Sequence, residues 1–181
     1  PGAIATQNLF PVFAPASFFE RGGWPGPYAK CAAPGVGLTW AIALPHHGMR
    51  YIDFGISQHW TAANVDWKAI ALENLRKASR KIYTHGMGRL DGSPYAVAMM
   101  HTDGWGPSRL LLGEGLQKLF PEGYRVAIPE MSCGFAISNH IDAEQEDTIH
   151  RALEQCYKHG TRPLAPGIFD ASAIVPDLSG A

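Results

Sequence analysis

A chain of 181 residues with 46% apolar and 17% charged residues is long enough to bury one sizeable core, and its formal net charge of −1 supplies no basic excess for a nucleic-acid partner. No apolar stretch approaches the roughly 18 residues of a membrane span. The first residues lack the basic and apolar regions of a signal peptide, so the expected location is the cytoplasm. The three cysteines, Cys31, Cys133 and Cys156, are widely spaced and form no CxxC, which points to reduced thiols rather than a disulfide framework or a cysteine zinc site. The chain opens at Pro1 without a methionine, which suggests a trimmed product or a domain of a larger assembly.

Residues 1–27 are rich in proline and glycine yet carry Phe10, Phe13, Phe18 and Phe19. A disordered tail does not carry that apolar density, so this stretch reads as an irregular arm packed on the core. Strands are expected at 28–33 and 38–44, and a turn at Pro45 to Gly48 returns the chain into a strand at 49–54. Residues 55–63 read as a loop. Asn64 is the expected cap of a helix over 65–83, whose apolar stripe is Trp67, Ile70, Ala71, Leu75, Ala78 and Ile82. Asn74 sits beside that stripe as a hydrogen-bonded core amide. A glycine-rich polar loop covers 84–94.

The centre of the chain is 95–138. Six apolar residues, 95–100, form a strand covered on both faces. A turn around Gly104 and Gly106 hands over to a helix over 107–120, begun by Pro107. Gly113 and Gly115 weaken that helix, and another backbone is expected to approach there. Strands follow at 124–128 and 133–138, close enough in sequence for antiparallel pairing. Asp142 and Gln145 have capping-box spacing at the start of the last helix, which Lys158, His159 and Gly160 close. The order predicts an α+β fold: a single domain over 28–170, mostly antiparallel sheet with three main helices packed on it, and a C-terminal tail at 171–181.

The candidate ligand-binding residues are His101, Asp103, Trp105, Ser108 and Arg109, gathered where a strand becomes a helix. Backbone N–H groups at that helix start, with Ser108 and Arg109, suit a carboxylate or phosphate. The competing reading is an ordinary Asp-Gly turn with a solvated arginine. The eight histidines contain no HxH, HExxH or HxxxH pair, and no metal site or cofactor is expected. Cys133, before a glycine, reads as a small buried residue rather than a nucleophile, and neither GxSxG nor GxGxxG occurs. Trp24, Trp60 and Trp105, in expected loops, are either ligand contacts or lids of the core.

The runs ALENL at 71–75, PSRLL at 107–111, VAIP at 126–129, CGFAIS at 133–138 and RPL at 162–164 resemble, in order over about 40–170, the YtpQ-like family of uncharacterised bacterial proteins. Family members tend to carry a basic-acidic pair after the proline, where this chain has Glu130 and Met131. The resemblance implies a single cytoplasmic α+β domain and supplies no activity. The function expected from the sequence is non-catalytic binding of a partner protein or a small ligand at the 103–109 turn. The alternative is a hydrolase using Asp103 and His101, with Arg109 as anion clamp.

Overall fold

One long strand organises the first half of the chain. The computed structural model describes residues 6–176; residues 1–5 of the expected arm and 177–181 of the expected tail lie outside the described residues. Strand β3 (Val36–Ala43) pairs along one edge with β1 (Leu9–Pro15), from Leu9 opposite Ile42 to Pro15 opposite Val36. Its other edge is shared by β2 (Tyr28–Lys30) and β4 (Met49–Tyr51). All pairs are antiparallel.

The expected irregular arm is therefore an edge strand from Leu9 onward, with a short helix α1 (Ser17–Glu20) after it. Pro11 and Pro15 hid it, because proline gives no ladder N–H; an edge strand tolerates that loss. Leu9, Val12, Phe13 and Ala14 are each 2% exposed or less. Asn74 has the role expected of it: its amide donates to Thr6 O at 2.8 Å and Leu9 O at 3.0 Å, tying the start of β1 to a helix.

The expected loop after β4 is a helix, α2 (Phe54–Ala62), capped by Asp53, whose Oδ1 accepts from Ile56 N at 2.8 Å. The next helix, α3 (Trp67–Ala78), is capped by Asp66 rather than by Asn64, which takes a left-handed φ of 56° in the connection. It ends at Ala78, short of the expected Tyr83, where Ser79 leaves helical geometry.

The second sheet has the order β5-β6-β8-β7-β9, all antiparallel. Its strands are β5 (His85–Gly88), β6 (Pro94–Met99), β7 (Tyr124–Glu130), β8 (Cys133–Ser138) and β9 (Phe169–Asp170). Strand β5 lies where a loop was expected, its two glycines giving little strand signal. The expected helix over 107–120 is two pieces, a 3-10 turn (Pro107–Leu111) and α4 (Gly113–Leu119), with Leu112 at φ −87°, ψ 58° between them. Gly115 accommodates a side chain rather than a backbone, since a Cβ there would lie 2.1 Å from Ile82 Cδ1.

Strand side chains alternate between faces. Phe135, Ile137 and Ala127 pack with Ile149 and Leu153 of α5 (Ala143–His159) on one face of the second sheet. Val97, Met99, Val126, Ile128 and Ala136 point into the main core, shared with Phe13, Leu38 and Trp40 of the first sheet. The capping box of α5 is present in both directions between Asp142 and Gln145. The C-terminal segment closes on the first sheet: Ala33 N donates to Ala173 O at 2.9 Å, and Ile174 is fully buried. The result is a single-domain α+β fold with antiparallel sheets, two in number rather than one. No helix among the described residues is long and apolar enough to cross a membrane.

Candidate functional site

The expected site lies between β6 and the 3-10 turn, and the fold turns most of it inward. Gly104 has φ +93°, and a Cβ on Gly106 would lie 3.0 Å from Met99 O, 3.1 Å from His101 N and 3.3 Å from Ser132 O. Only glycine lets the chain pass this close to two other backbones. The tight turn carries Arg109 under the surface, where its side chain is 2% exposed. Its guanidinium donates to both oxygens of Asp103, at 3.2 and 2.5 Å, and to Trp105 O at 3.4 Å. Asp103 Oδ1 also accepts from Trp105 N at 3.2 Å.

For the expected role of Arg109 as an anion clamp, the geometry is that its guanidinium is buried and already paired with Asp103. The N–H groups expected to hold an anion are also engaged, Ser108 N on Trp105 O at 3.1 Å and Arg109 N on Gly106 O at 3.2 Å. Ser108 is buried. Trp105 is buried too, its ring stacked on Phe10 at 4.1 Å and 3°. It ties the turn to β1, as a lid of the core.

His101 and Asp103 keep partial access to solvent. The His101 Nε2 contacts Lys81 O at 3.0 Å. Burial, and then the Arg109 guanidinium, hold its pKa below the ordinary value of 6.5. Among the described residues no hydrogen bond joins His101 to Asp103, and no group of three His, Cys, Asp or Glu side chains is placed to hold a metal. Trp60 is buried, and Trp24 packs edge-on against Phe19 and Tyr51.

A largely apolar concavity lies elsewhere, between α3 and the first sheet. It is a cleft of about 410 Å³. Pro11 of β1 and Leu38 and Trp40 of β3 make its floor, Ala69 and Leu72 of α3 one wall, and Leu111, Val175 and Pro176 close it. Its polar side chains are Asp66 and Lys68. Asp66 is engaged as the cap of α3, accepting from Ala69 N at 3.1 Å. The Lys68 ammonium lies 5.7 Å from the Trp40 ring centre and 5.4 Å from that of Trp67, in cation–π range. Clefts of similar volume, 430 and 450 Å³, are instead edged by charged side chains: Arg76, Glu114 and Lys118 beside α4, and Asp147, Arg151 and Lys158 along α5.

Sequence reasoning missed this cleft because its residues come from five distant segments. Leu38, Trp40 and Leu72 read singly as core positions, and nothing local shows that a volume is left between them. No protein-family model, curated protein or solved structure matches the chain.

Proposed function

We propose that the chain is a non-catalytic binding domain for a small, uncharged apolar molecule, held in the cleft between α3 and the first sheet. The observation that supports this is a cleft of about 410 Å³ with mainly apolar walls, carried largely by two strands and a helix. That volume falls within the range of small-molecule sites. The one cation and one carboxylate at its edge oppose each other in sign. They give a charged ligand little net attraction, so affinity comes from apolar contact. The 103–109 turn then serves as a brace: the Asp103–Arg109 pair and the Trp105–Phe10 stack fix the segment that leads to Leu111.

Equilibrium dialysis against matched pairs of compounds tests the reading, each pair an uncharged apolar molecule and its carboxylated or phosphorylated analogue. Retention of the uncharged members is expected. Selective retention of the anionic members would instead favour an anion site.

A further inference from the structure

The sulfurs of Cys133 and Cys156 lie 3.7 Å apart, in van der Waals contact, although the residues are far apart in the chain. Cys133 is the first residue of β8 and is buried. Cys156 is in the last turns of α5, half-buried, and lines with Cys133 an open cleft of about 460 Å³ whose other walls include Met100, Glu130, His159 and Thr161. Both cysteines border this cleft, and Cys156 is the more exposed of the two.

We propose that this pair is a redox-modification site, at which Cys133 and Cys156 form a disulfide when the protein meets a peroxide. Cys156 loses its proton and the thiolate attacks one oxygen of hydrogen peroxide; the O–O bond breaks and the departing hydroxide takes that proton as water, giving a sulfenic acid at Cys156. The Cys133 sulfur then attacks the Cys156 sulfur. The S–O bond breaks, and the departing hydroxide takes the Cys133 proton as water. Two thiols and one peroxide become one disulfide and two waters, the sulfurs losing the two electrons that the peroxide gains.

Bond formation needs the sulfurs to close to about 2.05 Å. Strand β8 is held on both edges, so the end of α5 makes the adjustment. Burial, then the neighbouring Cys156 and the facing Glu130 carboxylate, push the Cys133 thiol up, so its attack is expected to be faster at higher pH. Cys31 stays out of the chemistry: just beyond β2 of the first sheet, its thiol donates to Ile174 O at 3.4 Å, and burial pushes its pKa up to about 12.

The test is peptide mapping of the full chain after hydrogen peroxide treatment and alkylation under non-reducing conditions. The expected result is a linked Cys133–Cys156 peptide and a fall in free thiols from three to one, reversed by dithiothreitol. The link should persist in Cys31→Ser, vanish in Cys156→Ser, and form in the same yield at high and low protein concentration. Cys156 carried to sulfinic acid while Cys133 remains alkylatable would overturn the proposal. So would Cys156 linked to Cys156 of a second copy.

Discussion

Arg109 and Asp103 are bound to each other through two parallel hydrogen bonds, with the arginine side chain 2% exposed and the aspartate 31% exposed. The two partners are therefore unequal when removed. Asp103→Ala strands a buried guanidinium and is expected to cost about 3–5 kcal/mol. Arg109→Met leaves a carboxylate that still reaches water and the Trp105 N–H, and is expected to cost less, about 1–3 kcal/mol. Urea unfolding of both variants measures this. Equal, small losses would show that the pair contributes little.

Gly106→Ala places a methyl group against Met99 O, His101 N and Ser132 O, all backbone atoms that no rotamer change can move. The expected loss is about 1–3 kcal/mol. A shift in the thermal midpoint reads it, and an unchanged midpoint would mean that the turn relaxes freely.

The His101 imidazole has its pKa lowered in the folded state, chiefly by burial. As pH falls through the ordinary value of 6.5, the unfolded chain takes up the proton first, so stability is present above that value and is lost on acidification. The loss levels off once the folded imidazole is protonated too. His101→Gln is expected to flatten this part of the stability–pH profile. An unchanged slope would assign it to other groups.

Asn74→Ala removes both donors that hold Thr6 O and Leu9 O. An expected cost of about 1–2 kcal/mol follows from the two abandoned carbonyls. Limited proteolysis should cut earlier near 6–9 than in the parent chain, while cleavage elsewhere is unaffected.

Much of the fold was legible because its signals are local. The capping box at Asp142 and Gln145 marked α5, and the apolar runs marked β6, β7 and β8. The misses share a physical cause, which is that long-range pairing overrode weak local preference. Strand β1 contains two prolines and exists because β3 pairs with it. Helix α2 follows an aspartate that reads equally well as a strand end. The 103–109 turn was recognisable as a turn, and its residues do converge. That the convergence points inward depends on Gly106 packing against Met99 and on Phe10 arriving from β1, neither of which local pattern encodes.

The most direct test of the binding account uses N-phenyl-1-naphthylamine, an uncharged apolar fluorophore, titrated into the native chain and into Ala69→Trp. Ala69 lines the cleft yet is exposed, so the larger side chain fills the volume without displacing the core. The account expects saturable binding to one site in the native chain, insensitive to salt and abolished in the variant. Equal binding by both proteins, or none by the native chain, would contradict it.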